Sequence, residues 1–170
     1  AIYVDAVYNN PEHHSGVSSA IATVFFAFQI YCDFSGYSTI AIGSARVLGI
    51  ELMENFRRPY LAKSIKDFWS RWHISLSTWL RDYLYISLGG NRKGKIRTYI
   101  NLMITMLLGG LWHGAALKFV IWGALHGAGL AVEKFIGSVV QIPKNKLTRV
   151  LGVIITFHFV CFAWVYFRAD

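Results

Sequence analysis

Three runs of this chain are almost without charge. Val17 to Ala45 carries only Asp33, Thr98 to Val132 only Lys118, and Val150 to Phe167 none. In hydrocarbon every backbone N–H and C=O must be satisfied within the segment, so an apolar run that enters a bilayer becomes a helix of about 20 residues. The chain is therefore expected to be all-α, a polytopic multi-helix membrane bundle. The second run is too long for one span and predicts two helices meeting near Gly114 to Lys118. The first predicts either one long helix or a helix broken after Cys32-Asp33-Phe34-Ser35-Gly36. A composition of 55% hydrophobic and 15% charged residues, with mean hydropathy +0.41, excludes an ordinary soluble domain. Residues 1–170 read as a single segment of one membrane domain. Ala1 opens the chain and Asp170 directly follows an apolar run, so an excerpt of a longer protein is expected.

The net charge of +8 is concentrated between Glu51 and Arg97, where ten Lys/Arg face four Asp/Glu. Apolar flanks make this basic stretch a membrane-surface segment instead of a nucleic-acid site. Its aromatics Phe68, Trp69, Trp72, Trp79, Tyr83 and Tyr85 are interleaved with Lys66, Arg71, Arg81 and Asp82. That pattern suits interfacial or re-entrant helices, rings at headgroup level and cations reaching water. Gly89 to Lys95 forms a polar turn. A second basic loop holds Lys144, Lys146 and Arg149. If 98–132 crosses twice, both basic loops lie on one side, which the positive-inside tendency makes cytoplasmic.

Ionisable groups inside apolar runs are costly and tend to line functional cavities. His113 is flanked by Gly109, Gly110 and Gly114, which serve tight helix packing or open a narrow channel beside a base equally well. His73 follows Trp72 at the edge of the basic stretch, where a bland interfacial histidine is the commoner outcome. Asp33 reads as a cap for a helix restarting after a break, or as the partner of a cation. His126 lies 13 residues after His113, and at about 100° per residue the two rings point to different faces. A haem would need a ligand from a facing helix, and only His158 offers one. Cys32 and Cys161 read as core thiols. No GxSxG, HExxH, P-loop or paired-carboxylate constellation occurs.

Taken together, QIYCDFSGYSTIAIG (29 to 43), NFRRPY (55 to 60), FWSRWHISLSTWLRDYLYISLGGNRKG (68 to 94) and MLLGGLWHGAALKFVIWGALHG (106 to 127) resemble the membrane-bound O-acyltransferase family. The resemblance is to its bacterial alginate O-acetyltransferase branch and covers nearly the whole chain in order. Departures are Thr39, Ser70, Ser87 and Ala116-Leu117-Lys118. The resemblance implies a tunnel through the bilayer and two key histidines, His113 in GLWHG and His73 in WHxS, where eukaryotic relatives commonly carry asparagine. His113 is then the general base, a neutral imidazole that activates a hydroxyl. His73 polarises the thioester carbonyl or holds the acceptor. Asp33, Trp72, Ser75, Arg81, Asp82, Arg92, Trp112, Gly110 and Gly114 become candidates for the substrate channel or CoA contacts. Arg92, Lys93, Lys95 and Arg97 suit CoA phosphates as well as they suit a solvated loop.

By the same resemblance acetyl-CoA is the donor, with no metal and no bound cofactor. The acceptor is an exopolysaccharide such as alginate, reached through an extracytoplasmic acetyl-accepting protein. The location implied is the bacterial cytoplasmic (inner) membrane, with the bilayer as partner and no nucleic acid. Rival readings are acetyl or D-alanyl transfer to teichoic acid, peptidoglycan or cellulose, and a proton-coupled transporter using Asp33 and His113.

Overall fold

A computed structural model describes residues 1–143 and 145–168. Lys144, read above as part of the second basic loop, lies outside the described residues. The fold is helical: α1 (Ile2–Asn9), α2 (Gly16–Val47), α3 (Ile65–Trp69), α4 (Ile74–Trp79), α5 (Lys95–His113), α6 (Leu117–Val139) and α7 (Lys146–Arg168). Short 3-10 turns occupy Pro11–His13 and Pro59–Leu61, and α4 runs on into a π-helical turn at Leu80–Tyr85. Of these helices, α2, α6 and α7 are long and apolar enough to cross a membrane.

Ser15 caps α2 by accepting the Ser18 N–H at 3.2 Å. The helix then passes unbroken through Cys32-Asp33-Phe34-Ser35-Gly36. Ser35 and Thr39 turn their hydroxyls back onto the carbonyls of Cys32 and Ser35, at 3.4 and 2.8 Å, so these polar residues are satisfied inside the helix without breaking it. The capping role expected of Asp33 is thereby corrected. It stands in mid-helix, exposed.

A three-residue link joins α5 to α6, and the two pack antiparallel along a seam of glycines. A Cβ at Gly110 would run into the Phe119 carbonyl oxygen, and one at Gly123 into that of Met106. At Gly127 it would meet Met103 Sδ at 2.9 Å. Small residues are what let two helix backbones approach this closely. The glycines beside His113, expected to wall a channel, are therefore packing residues. Gly109 and Gly110 are buried, Gly109 against Leu80, and Gly114 lies beside the Phe119 ring.

Ahead of α5, Gly89 and Gly90 take φ of 106° and 54°, left-handed values that only glycine adopts readily. Buried Asn101 holds this turn from α5, its Nδ2 donating to the carbonyls of Leu88 at 3.3 Å and Gly90 at 2.9 Å. Asn101→Leu strands both carbonyls. We expect it to cost about 1–3 kcal/mol and to open the 88–94 turn to limited proteolysis; unchanged cleavage there would show that the anchor is dispensable.

The core is aromatic. Trp72, Phe68, Trp122 and Trp164 are buried together with Phe26, Ala27 and Val160, drawing α2, α3, α6 and α7 onto one centre. Phe68 stacks on Trp72 at 5.6 Å, and Tyr60 donates its hydroxyl to the Ala27 carbonyl at 2.6 Å. The interfacial belt expected of 68–85 is thus only half right. Phe68 and Trp72 are 1% and 4% exposed, whereas Trp79 and Tyr83 are exposed and stack on each other. Burying Phe68 with the indoles of Trp72, Trp122 and Trp164 removes far more apolar surface from water than an alternating surface pattern would, so the chain turns Phe68 and Trp72 inward. Trp72, a candidate channel residue, is a core residue.

Candidate active site

Histidine 73 arrives at its place through an unusual backbone. Phe56 and Trp72 form an isolated antiparallel bridge, with the Arg57 N–H donating to the Arg71 carbonyl at 2.9 Å and the Ile74 N–H to that of Asn55 at 3.1 Å. The pairing turns the chain sharply between α3 and α4, and His73, the residue before α4, takes φ 44° and ψ 56°. A non-glycine residue in the left-handed region carries strain, of the kind stored where a side chain must be aimed. Asn tolerates that region and alanine does so at a cost of about 1–2 kcal/mol. His73→Asn should therefore melt close to the native protein in detergent, and His73→Val well below it. Equal melting of the two would remove the strain from the account.

His73 lines an open cleft of about 330 Å³ together with Ser75, Leu76, Trp79 and Trp112. Its ring packs edge-on against Phe34 at 4.6 Å and against Trp112 at 5.9 Å. His113, the last residue of α5, lies against the same indole at 5.1 Å. Thus two histidines 40 residues apart in sequence share one tryptophan. Around His113 the cage is completed by Trp122 at 5.2 Å, Phe167 at 5.3 Å and Phe119 at 6.3 Å. Neither ring nitrogen of His113 hydrogen-bonds to a described residue, nor is either sealed off from access. Such a ring is available to a substrate proton. For His73, which lies outside the membrane-crossing helices, burial and then the neighbouring His113 push the pKa down to about 4, so it is neutral at pH 7.

The other expected site residues divide. Ser75 and Trp112 line the cleft with His73. Arg81 and Asp82 clasp each other on the surface, Arg81 Nε donating to Asp82 Oδ1 at 2.7 Å, and do not line it. Arg92 is exposed in the glycine turn, and Asp33 is exposed on α2, one residue before the Phe34 that touches His73. Asp33 forms no ion pair among the described residues. His126 is fully buried, ringed by Phe68, Trp122 and Phe159, with Nδ1 accepting from Trp69 Nε1 at 3.3 Å; His158 bonds the Ile154 carbonyl. Sealed among these rings, His126 presents none to a haem, while His158 is exposed on α7. Missed by the sequence reading were Phe34, Leu76 and Asn55. Asn55 has one visible signal, its place at the head of NFRRPY, but its partner Ser75 is 20 residues away.

The model of the membrane-bound O-acyltransferase family matches residues 2–169. The chain belongs to that family. Among its relatives, a probable alginate O-acetylase of Pseudomonas aeruginosa is 54% identical over 153 residues, covering 88% of this chain and 28% of the relative. A peptidoglycan O-acetyltransferase of Helicobacter pylori is 42% identical over 169 residues, covering 99% of this chain and 32% of that protein. A teichoic acid D-alanyltransferase of Bacillus subtilis is 34% identical over 166 residues, covering 91% and 42%. The chain thus spans about three-tenths of the length of the alginate relatives. As a family member with three candidate spans it is a membrane protein, and its two histidines stand in the family's own segment.

Proposed function

We propose that the full-length protein is an O-acetyltransferase of the cytoplasmic membrane, moving acetyl from acetyl-CoA to a hydroxyl acceptor for O-acetylation of an alginate-like exopolysaccharide. The observation that carries this reading is the convergence of His73 and His113 on Trp112 beside an open cleft. A hydroxyl is too weakly acidic to attack a thioester unaided at pH 7, so a positioned base is required. His113 has its ring nitrogens unengaged and is walled by aromatics that limit water. The hydroxyl oxygen bonds to the acetyl carbon as its proton passes to His113. The C–S bond breaks, and the proton goes on to the departing CoA thiolate. His73, on the cleft wall, orients the reactants.

Support for the polymer comes from similarity, which is higher to the alginate O-acetylases than to the peptidoglycan and teichoic acid enzymes. An extracytoplasmic acetyl-accepting partner belongs to the same reading. Assembly of Asp33 and His113 into a proton relay has no support, because Asp33 is exposed on α2 and His113 is caged by other residues. The test is release of CoA from acetyl-CoA by membranes bearing the full-length protein, alongside the acetyl content of the exopolysaccharide in cells with and without the gene. Acetylation that is independent of the gene, with no CoA released, rejects the proposal.

A further inference from the structure

The amide of Asn55 is oriented by a backbone group. Its Oδ1 accepts the Ser75 N–H at 3.1 Å, which places the oxygen, and not the NH2, toward α4. The same Oδ1 lies 2.7 Å from Ser75 Oγ. A carbonyl oxygen can only accept, so Ser75 must use its single hydroxyl proton on Asn55. What remains on Oγ is lone pairs. His73 Nδ1 lies 3.4 Å from that oxygen, long for a hydrogen bond. The direction of the contact is set by the short bond on its other side. A lone pair on Nδ1 would face lone pairs on Oγ, whereas a proton there completes a chain of polarised bonds. Asn55 is itself held, its carbonyl accepting the Ile74 N–H at 3.1 Å beside the Phe56–Trp72 bridge.

We propose that Asn55 and Ser75 are positioning residues that hold His73 as the Nδ1–H tautomer and turn its Nε2 to the cleft as a hydrogen-bond acceptor. Nε2 makes no hydrogen bond to a described residue and is not sealed from the cleft that the ring lines. In a neutral imidazole the nitrogen without the proton carries the lone pair. Resting on the acyl-transfer reading, this decides between the two roles open to His73. A thioester carbonyl needs a donor to polarise it, which this tautomer does not offer. The acceptor substrate's hydroxyl is itself a donor, so on binding its one O–H bonds to His73 Nε2, which holds the oxygen in the cleft. For reaction that O–H turns from His73 to His113, which takes the proton. The substrate partner of this site is therefore the hydroxyl.

The tautomer can be read without activity, by 15N NMR of histidine-labelled full-length protein in lipid nanodiscs. The His73 signal is assigned by its loss in His73→Gly, a variant that suits the left-handed backbone. We expect the proton on Nδ1 and a pyridine-type Nε2 in the native protein. Ser75→Ala and Asn55→Leu should shift the ring toward Nε2–H, and Asn55→Asp, which keeps both accepted bonds, should restore the native signal. A native Nε2–H ring, or a ring indifferent to Ser75→Ala, overturns the proposal. In the kinetic arm Ser75→Ala lowers kcat about 10-fold, the loss of one orienting hydrogen bond, leaves the KM for acetyl-CoA unchanged, and has no further effect in His73→Gly. A full effect surviving in that background also overturns it. Native protein that never turns over acetyl-CoA rejects the acyl-transfer reading instead, and the NMR arm still decides the tautomer.

Discussion

His113→Ala in the full-length protein is expected to abolish acetyl transfer, with CoA release falling at least about 100-fold and as far as about 10,000-fold, the range a positioned base contributes. No described side chain stands ready to replace it. His126 is sealed among aromatics with Nδ1 already engaged, and His73, although its Nε2 faces the cleft, is a weak base because burial holds its pKa down to about 4. Removing the ring also deletes packing against Trp122 and Phe167, so a loss of protein must be separated from a loss of chemistry. His113→Gln fills more of the cage and still lacks a base of suitable pKa. Both variants should accumulate in the membrane and both should be inactive. Undiminished polymer acetylation in either, at normal protein level, would remove His113 from the mechanism.

The largest structural effect is expected at Gly123. Its α-carbon faces the α5 backbone, where a side chain would strike the Met106 carbonyl oxygen. A flexible side chain could move aside at small cost, but a backbone carbonyl inside a helix cannot shift without opening the hairpin. Overpacking ordinarily costs about 1–3 kcal/mol, and more where nothing can yield. Gly123→Val should therefore exceed about 3 kcal/mol, a large part of a typical domain's stability. Gly110→Val, which meets the Phe119 carbonyl from the other helix, should act alike. Gly137, also on α6, has nothing within 4 Å of its virtual Cβ and serves as the control. Thermal aggregation of the solubilised full-length protein and its steady-state membrane level are the readouts. If Gly137→Val harms the protein as much as Gly123→Val does, helix propensity and not the seam is responsible.

How far the site was legible depended on whether its signal was local. His113 and His73 are visible because each lies in a dense motif, GLWHG and WHIS, and the motifs occur in order. Ser75 comes with the second of them. Trp72 shares that motif yet belongs to the core, because adjacent residues on a turning chain face different surroundings. Residue type alone could not say which of the pair met the cleft. Asn55 was passed over for a related reason: an asparagine has no chemistry until its partner is known, and the partner lies beyond a bridge that only tertiary pairing makes.

Helices in a membrane were determined by the sequence alone, since uncharged runs of that length leave the backbone no other way to satisfy its polar groups in lipid. So was the link near Gly114 to Lys118, where the apolar run exceeds one span; α5 ends at His113 and α6 begins at Leu117. Tertiary structure decided what the polar and small residues do there. It ran α2 straight through Asp33, turned the glycines onto a facing backbone, and drew His73 and His113 onto one indole. Periodicity records which residues avoid water. It does not record which helix each will face, and these roles depend on the facing partner.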